Sequence, residues 1–327
     1  MYKISVVVPV YNVEKFIERC ARSLMEQTLQ EVEYIFVDDA ATDDSMAVLR
    51  SVLAEYPSRI GDVKILEHSS NKGLPAARNT GMAVASGDYV FHCDSDDYVE
   101  PDMLETLYAA AGANDADIVW CDWFLSFEKN ERYMKQPAYS SPTEAIRAMM
   151  SGAMKYNVWN KLARRSLYVD NGISFPAGYG MGEDLTMIML FACAKKVCYV
   201  PKAFYHYVKL NTGAFTQTHS FGHFNALRYN VQRISDYIEG KFGAMMEKEI
   251  AFLKLEAKFP FLIMAADKSL YALWKAWYPE ANRYIWQNKN ISMRNRVVQW
   301  MAWKRQFWAV RIYYYVVIRF MYGVIFH

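Results

Sequence analysis

The sequence lacks the marks of a secreted, disulfide-rich or membrane-spanning protein. Its five cysteines are scattered without a Cys-x-x-Cys pair, which favours free thiols in a reducing compartment over disulfides or a metal site. No uncharged apolar run reaches the roughly 18 residues that span a bilayer. The first residues show a strand pattern with no charged leader, apolar core or cleavage site, so we expect no secretory signal and a cytoplasmic protein.

Acidic residues are missing from the end of the chain. Of the 37 Lys and Arg residues, eight follow Glu280, and no Asp or Glu does. Residues 1–280 therefore hold 29 Lys and Arg against 35 Asp and Glu, although the whole chain has a net charge of +2. An acidic body with a basic, aromatic tail predicts an anionic membrane surface as a partner. Such a tail also suits nucleic acid, but the acidic body argues against that partner.

The periodicity of the tail predicts an amphipathic helix over residues 294–327. Four cations share a sector of about 120°: Lys304, Arg305, Arg311 and Arg319. Aromatic and apolar residues lie on the other side: Trp303, Phe307, Val310, Tyr314, Val317 and Val324. Such a helix would associate peripherally with the inner face of the plasma membrane, with its aromatic residues in the headgroup boundary. The alternative is a helix that docks on the protein's own core.

Strand and helix patterns alternate through the first part of the chain, and 53% of all residues are hydrophobic. The pattern predicts strands over residues 4–8, 32–37, 63–67, 89–93 and 118–123, with helices over 14–28, 43–56, 75–85 and 102–112. This alternation predicts an α/β fold with a mostly parallel sheet flanked by helices. Residues 124–142 look irregular, and long helices are expected over 221–240 and 244–277.

Acidic side chains follow two of the predicted strands. Asp38-Asp39 closes one strand and Asp94-Ser-Asp-Asp97 closes another, at the sheet edge where open α/β folds bind ligands. Neighbouring carboxylates need a cation or donor groups to neutralise them. Mg²⁺ or Mn²⁺ commonly bridges one or two carboxylates to a diphosphate. A lone Asp-x-Asp is weak evidence because turns also use aspartate, but this one directly follows an apolar strand.

Several ordered motifs resemble those of the family 2 glycosyltransferases. In order they read Ile4-Ser-Val-Val-Val-Pro-Val-Tyr-Asn12, Val37-Asp-Asp-Ala-Ala-Thr-Asp-Asp-Ser45, Asn71-Lys-Gly-Leu-Pro-Ala-Ala-Arg-Asn-Thr-Gly81, Ser86-Gly-Asp-Tyr-Val-Phe-His-Cys-Asp-Ser-Asp-Asp97, Trp159-Asn-Lys-Leu162 and Gly182-Glu-Asp184. The resemblance implies an inverting enzyme with a Rossmann-like GT-A catalytic domain over residues 1–210. A helical region over 211–293 and the basic tail over 294–327 would follow it.

The resemblance also implies roles for individual residues of this chain. Asp184 resembles the general base that takes a proton from the acceptor hydroxyl, with Glu183 beside it. The positions that resemble donor-binding residues are Pro9, Tyr11, Asp39, Arg78, Asp94, Ser95 and Asp96. Among them, Tyr11 would stack on the base, Asp39 would accept a hydrogen bond from a uracil imide, and Asp94 and Asp96 would hold Mn²⁺ or Mg²⁺. His206 is a further candidate metal ligand, and Trp159 and Lys161 resemble acceptor-binding residues.

Each of these residues also has a simpler structural interpretation. Arg78 could be an ion-pair partner of Asp39 or Asp88, Trp159 could be part of the core, and His206 could be structural. The family usually has Gly-Ser after the Asp-Asp pair, where this chain has Ala40-Ala41. Losing the glycine restricts that backbone and leaves the carboxylate in place.

The expected function is transfer of a sugar from a nucleotide-diphosphate donor, with UDP favoured by the resemblance at Asp39, to a glycan or lipid-linked acceptor in surface polysaccharide biosynthesis. One alternative is a non-catalytic subunit that binds sugar nucleotides or acts as a scaffold. Another is a nucleotidyltransferase, which usually carries a Gly-rich, Arg-containing loop after the first strand. Here Pro9-Val-Tyr-Asn12 stands at that place.

Overall fold

A computed structural model describes residues 1–210 and 221–325, with side chains described for residues 1–210 and 222–320. The chain divides into two compact units. The first contains residues 1–144 and 156–230, and the second contains residues 145–155 and 231–327. The predicted boundary at residue 210 borders a stretch that lies outside the described residues. The division also assigns residues 145–155 to the second unit, which the sequence pattern did not suggest.

The first unit is built on one mixed sheet. Its strands are β1 (Ile4–Val10), β2 (Val32–Asp38), β3 (Val63–Glu67), β4 (Tyr89–His92), β5 (Tyr98–Val99), β6 (Ile118–Ser126), β7 (Glu131–Met134), β8 (Lys161–Arg164) and β9 (Val197–Val208). Within the described residues the strand order is β3-β2-β1-β4-β8-β6-β9-β5, with β7 paired to β6. The four strands β3, β2, β1 and β4 are mutually parallel, whereas β5, β7 and β8 pair antiparallel with their neighbours.

Helices connect these strands. They are α1 (Ile17–Met25), α2 (Ser45–Ala54), α3 (Leu74–Val84), α4 (Met103–Asn114), α5 (Pro142–Met150), α6 (Arg165–Asp170), α7 (Thr186–Cys193) and α8 (Phe221–Phe242). Two of the three boundaries between the units fall inside α5 and α8, and the third lies between Lys155 and Tyr156. The predicted alternation of strands and helices through residue 123 is therefore observed. Residues 124–142, expected to be irregular, contain the end of β6 and the short strand β7.

The parallel strands bring the acidic motifs to one edge of the sheet. Pairing of β1 with β2 sets Val10 opposite Asp38, and pairing of β1 with β4 sets Val7 opposite His92. Because these strands run in the same direction, their carboxyl ends lie along the same edge. The strands are buried along most of their length. The polar residues that follow them are consequently held at fixed positions by an apolar sheet.

The second unit is helical. It contains α9 (Glu247–Lys258), α10 (Pro260–Ile263), α11 (Lys268–Ala276), α12 (Met293–Trp303) and α13 (Phe307–Tyr313), with 3₁₀ turns over Gly243–Met246 and Pro279–Gln287. The single long helix expected over 244–277 is divided, and Pro260 opens the short helix α10 because proline cannot continue the hydrogen bonding of a preceding helix. Lys258 is buried, and its Nζ donates to Trp277 O (2.8 Å) and Asn282 Oδ1 (2.7 Å). This amine therefore links α9 to the turn after α11.

The tail differs from the single amphipathic helix predicted over 294–327. Helix α12 ends at Trp303, and Arg305 takes a left-handed conformation with φ of 59° before α13 begins. A π-helical segment, Tyr314–Ile325, follows α13. Within the second unit, Phe307 stacks on Tyr271 at 5.0 Å between ring centroids, and Val310 is fully buried. The predicted apolar side is thus partly occupied by protein contacts, and Val324 lies beyond the described side chains.

Gly81 allows α3 to pack closely on β1. A Cβ at this position would lie 2.5 Å from Val7 Cγ1, which is well inside van der Waals contact. Gly112, in the interior of α4, offers the opposite case because a Cβ there would meet nothing within 4 Å. Gly81 and Gly112 therefore form a matched pair for substitution.

We expect Gly81→Ala to lower the free energy of unfolding by about 1–3 kcal/mol, since the added methyl group overpacks the contact with Val7. Gly112→Ala should raise it by up to about 1 kcal/mol, because alanine loses less backbone entropy in a helix. Chemical denaturation of both variants provides the measurement. Equal effects at the two positions would contradict the close approach of α3 to β1.

Candidate active site

The acidic turn after β4 is anchored by its last carboxylate. Asp97 is fully buried; its Oδ1 accepts from Val208 N at 2.7 Å, and its Oδ2 accepts from the Tyr205 hydroxyl at 2.7 Å. The same hydroxyl accepts a hydrogen bond from Asp94 N at 3.1 Å. Burial, with the nearby charges of Asp96 and Asp94, raises the pKa of Asp97. Asp94 and Asp96 are half-buried, so strand β9 fixes the turn while these two side chains keep access to solvent.

Arg78 of α3 joins this turn to the predicted catalytic pair. Its Nη2 lies 2.8 Å from Asp94 Oδ1, and its Nη1 lies 3.1 Å from Glu183 Oε1. Asp184 Oδ1 is 3.7 Å from the same Nη1. The guanidinium is 1% exposed. One buried cation therefore holds three carboxylates, and its partners are not Asp39 or Asp88.

Glu183 and Asp184 begin a 3₁₀ turn, Glu183–Leu185, after Gly182 at φ of 83°. Burial raises the pKa of Glu183, and repulsion from Asp184 adds to the rise while Arg78 opposes it. Burial also raises the pKa of Asp184 against the attraction of Arg78. Among the described residues, Asp184 Oδ1 has no hydrogen-bond donor. A carboxylate with a raised pKa and an oxygen that accepts no hydrogen bond is suited to accept a proton.

Lys161 lies in the same electrostatic environment. Its Nζ is buried and donates to Asn157 O (2.6 Å) and Asn160 Oδ1 (2.8 Å). Desolvation lowers the pKa of Lys161 to about 7, although the charge of Asp184 opposes the shift. The proton affinity of this amine therefore depends on the charge of the candidate base.

Trp159 belongs to an aromatic cluster. Its ring stacks on Tyr205 (4.5 Å, 18°) and on Tyr207 (5.3 Å, 12°), and it meets Trp123 edge-on at 5.0 Å. The indole is 5% exposed. Trp159 thus supports Tyr205, which holds the acidic turn. Its predicted contact with an acceptor sugar stays a prediction.

Asp39, just after β2, is held by a different set of donors. Its Oδ1 accepts from Lys72 N at 2.8 Å and lies 2.6 Å from His68 Nδ1, and its Oδ2 accepts from Gly73 N at 2.8 Å. The side chain is 3% exposed. Tyr11, in the loop after β1, is 45% exposed, and Pro9 pairs with Val37 within the sheet. The predicted donor-binding residues thus divide between the surroundings of Asp39 and those of Arg78.

Comparison with known proteins decides the family. A family model described as glycosyl transferase family 2 matches residues 5–180, which is more than half of the chain. The chain belongs to glycosyl transferase family 2. The matched region contains the acidic motifs and Arg78, and it ends just before the Glu183-Asp184 pair.

Curated relatives and a solved structure agree with the assignment. EpsH of Bacillus subtilis (strain 168) is 34% identical over 62% of this chain and 60% of its own length. YibD of Escherichia coli (strain K12) is 31% identical over 75% of this chain and 70% of its own length. The crystal structure of S. aureus TarS 1-349 in complex with UDP-GlcNAc covers 96% of this chain and 91% of its own, with a TM-score of 0.70 at 20% identity. This likeness confirms the GT-A fold.

In this family 2 chain the carboxylates that contact His206 are Glu131 and Glu100, which lie outside the acidic turn. Its Nδ1 lies 2.7 Å from Glu131 Oε1 and its Nε2 lies 2.8 Å from Glu100 Oε1. The ring stacks on Tyr98 at 4.1 Å. A metal ion would have to displace one of these carboxylates from its nitrogen. These contacts favour the structural interpretation of His206.

The described residues contain no group of three or more His, Cys, Asp or Glu side chains arranged to hold a metal ion. The donor set of Asp94 and Asp96 nevertheless fits a hard divalent cation, because Mg²⁺ is usually bound by one or two carboxylates together with substrate phosphates and water. Both side chains are half-buried, whereas Asp97 is buried and occupied. A divalent cation at this site would therefore have two protein ligands, Asp94 and Asp96.

The sequence pattern did not predict two residues of the candidate site. Tyr205 lies next to His206 on β9, and its hydroxyl contacts both Asp97 and Asp94. His68 follows β3 directly and contacts Asp39. His68 could have been predicted as a site residue, because it is a polar residue just after a parallel strand. No local pattern distinguishes Tyr205 from its aromatic neighbours.

We expect Arg78→Met to lower the free energy of unfolding by about 3 kcal/mol at neutral pH, because it leaves buried carboxylates without their cation. The loss should be smaller at acidic pH and grow as the pH rises through the raised pKa values of Glu183 and Asp184, since protonated carboxyls need no counter-ion. Thermal and chemical unfolding at several pH values would measure it.

Arg22→Met is the matched control for this variant. It removes a partly exposed arginine paired with Glu55 and Glu18, so it should change stability far less than Arg78→Met, because solvent screens these pairs. A loss at Arg78 as small as that at Arg22, or one independent of pH, would contradict the counter-ion role.

Proposed function

We propose that this chain transfers a sugar from a UDP-sugar to a hydroxyl of a glycan or lipid-linked acceptor, with inversion at the anomeric carbon. The observation that carries the proposal is the convergence of Asp94, Glu183 and Asp184 on Arg78. It joins a carboxylate of the Asp-x-Asp turn to a buried carboxylate that can act as a base. The S. aureus TarS structure, whose fold is shared, was solved with UDP-GlcNAc. We propose a hexosyl or N-acetylhexosaminyl donor on that ground, and a role in surface polysaccharide biosynthesis from the motif resemblance.

Asp184 is the proposed general base. The acceptor hydroxyl gives its proton to the Asp184 carboxylate as its oxygen bonds to the anomeric carbon. The bond from that carbon to the diphosphate oxygen breaks, and the diphosphate leaves with the bonding electrons. A raised pKa improves a carboxylate as a proton acceptor while it stays ionised near neutral pH. Arg78 opposes the rise and so helps keep Asp184 ionised.

The donor side combines a base-recognition part and a diphosphate part. Asp39 and Tyr11 are proposed to contact the uracil, and Pro9 and Ser95 border the nucleotide. Asp94 and Asp96 would hold Mn²⁺ or Mg²⁺, which when bound supplies Lewis-acid stabilisation of the departing diphosphate. These assignments are supported by the motif order and by the solvent access of both carboxylates.

The acceptor side is proposed to use Trp159, Lys161 and an aromatic surface before the base. Tyr179 and Tyr229 stack at 3.8 Å with an interplanar angle of 11°, and both rings are exposed. Asn230 donates to Met181 O at 2.8 Å, which ties the segment before Glu183 to α8. Exposed aromatic rings offer an apolar face to a sugar ring. Tyr179 lies in the segment just before Glu183 and Asp184, and its stack on Tyr229 holds both rings at that segment.

Asp184→Asn is expected to lower kcat by at least about 100-fold, because the amide cannot accept the proton. Binding of UDP should be unchanged, since the residue does not hold the nucleotide. Release of UDP from UDP-GlcNAc and a thermal-shift titration with UDP and Mn²⁺ measure the two properties. Glu183→Gln is the comparison variant for Asp184→Asn, because it makes the same change of carboxylate to amide at the neighbouring residue and keeps the side chain's shape. Full turnover by Asp184→Asn would remove the base assignment, and absence of any nucleotide-dependent shift in the unmodified protein would oppose the donor assignment.

The C-terminal segment is proposed to bind an anionic membrane surface on its cytoplasmic side. Among the described residues, no helix combines the length and apolar character needed to cross a bilayer. Six large apolar side chains of the described part of the tail are nevertheless exposed: Trp303, Trp308, Ile312, Tyr315, Val316 and Phe320. Arg311 and Arg319 are exposed beside them. Apolar side chains flanked by cations suit the boundary between lipid headgroups and acyl chains.

This surface differs from the predicted one, because Phe307 and Val310 are covered within the second unit. We expect the protein to co-sediment with vesicles containing phosphatidylglycerol and less with phosphatidylcholine alone. The double variant Trp308→Ala/Phe320→Ala should reduce binding to both vesicles. Arg311→Gln/Arg319→Gln should remove mainly the salt-sensitive part, worth about 1 kcal/mol per cation.

Phe127→Ala is the control for the membrane experiment, because Phe127 is an exposed aromatic residue of the first unit, 45% accessible. It should leave vesicle binding unchanged. Equal loss in the control and the tail variants, or no binding to anionic vesicles at all, would refute the membrane surface.

A further inference from the structure

A buried histidine connects Asp39 to helix α3. His68 Nδ1 lies 2.6 Å from Asp39 Oδ1, and His68 Nε2 lies 2.9 Å from the Thr80 hydroxyl. The backbone of the histidine is fixed as well, because His68 N donates to Asp38 O at 2.9 Å. The imidazole side chain is 4% exposed. Three elements therefore meet through one ring: the end of β2, the end of β3 and α3.

The chemistry of the three groups determines which atom donates and which accepts in each hydrogen bond. An ionised carboxylate only accepts, so Nδ1 carries the hydrogen that faces Asp39. The Thr80 hydroxyl can donate to Nε2 or accept from it, so the outer contact is satisfied in either state of the ring. Thr80 of α3 therefore fixes the orientation of the imidazole, and the imidazole fixes the orientation of the Asp39 carboxylate.

The donors around Asp39 leave limited capacity for a ligand. Oδ1 faces both His68 Nδ1 and Lys72 N, whereas Gly73 N is the one donor to Oδ2 within the part of the chain that the structure describes. Each carboxylate oxygen can accept about two hydrogen bonds. Oδ2 thus retains one accepting position, and its direction is defined by the bonds that hold the rest of the group.

We propose that His68 is a positioning residue that aims the remaining acceptor of Asp39 at a ring N–H of the donor base, and so selects uracil over cytosine. The inference rests on the proposed function, because it requires a UDP-sugar donor. Uracil presents an N–H at the ring position where cytosine presents a bare nitrogen. A fixed acceptor favours the first and repels the second. His68 itself does not touch the nucleotide.

Three variants separate positioning from a merely structural role. His68→Leu removes the bond to Asp39 and keeps an apolar side chain in the cavity. His68→Asn can return a donor near the position of Nδ1. Thr80→Val keeps the histidine and removes only its outer anchor. Calorimetric binding of UDP and CDP to the full chain, with the melting temperature of each variant, supplies the readout.

The unmodified protein should bind UDP more tightly than CDP. His68→Leu should weaken UDP binding about tenfold, as expected for losing a hydrogen bond to a charged group. It should weaken CDP binding much less, and kcat with saturating UDP-GlcNAc should stay within about twofold because the reacting groups are untouched. His68→Asn should restore most of the preference for UDP. Thr80→Val should show a smaller loss of UDP affinity, again with little change for CDP. If His68→Leu does not fold, Thr80→Val becomes the test of the proposal.

Three results would overturn the role of His68. One is unchanged UDP affinity and selectivity in folded His68→Leu. Another is an equal loss for UDP and CDP, and the third is failure of His68→Asn to improve on His68→Leu. If His68→Leu does not fold, native selectivity in Thr80→Val overturns it instead. A protein that binds UDP no better than CDP before any substitution would instead remove the UDP donor assignment, so the two failures are distinguishable.

Discussion

The candidate site depends on the buried guanidinium of Arg78. Three carboxylates, from Asp94, Glu183 and Asp184, lie within 4 Å of its terminal nitrogens. Without a cation they would repel one another in a region where burial already penalises their charged forms. A guanidinium suits this position because it stays protonated when buried and presents several donors in a fixed plane. The charge that stabilises the fold here is also the charge that keeps the proposed base ionised.

The sheet explains why so few residues can control the site. Parallel pairing of β1 with β2 and β4 sets Asp39 and the Asp94–Asp97 turn beyond one edge, and Tyr205 and Val208 of β9 secure the turn. Each acidic residue is followed or preceded by buried backbone. Movement of the Asp97 carboxylate would break its bonds to β9. Rigid placement of polar groups at strand ends is what preorganised binding and catalysis require.

The fold was predictable where the sequence carries a strong period. The buried strands β1, β2 and β4 read as short apolar runs, and the alternation of strands with helices indicated the α/β class. The sequence pattern did not predict β7, β8 or β9. Strand β7 is largely exposed, β8 has four residues including a buried lysine, and β9 contains Pro201 and Lys202. The tail shows a related limit. Periodicity finds an amphipathic segment, but only packing decides which side meets the protein.

In the site, local sequence predicts where the acidic residues lie, whereas contacts remote in sequence determine their properties. The positions of Asp39, Asp94 and Asp184 follow from local signals, namely the ends of strands and a Gly-Glu-Asp turn. Their properties follow from partners remote in sequence: Arg78 lies 105 residues from Glu183, Tyr205 lies 108 from Asp97, and His68 lies 29 from Asp39. A motif therefore identifies which groups are charged, whereas the tertiary structure sets their proton affinity and direction. For a carboxylate that must act as a base, it is the second property that determines activity.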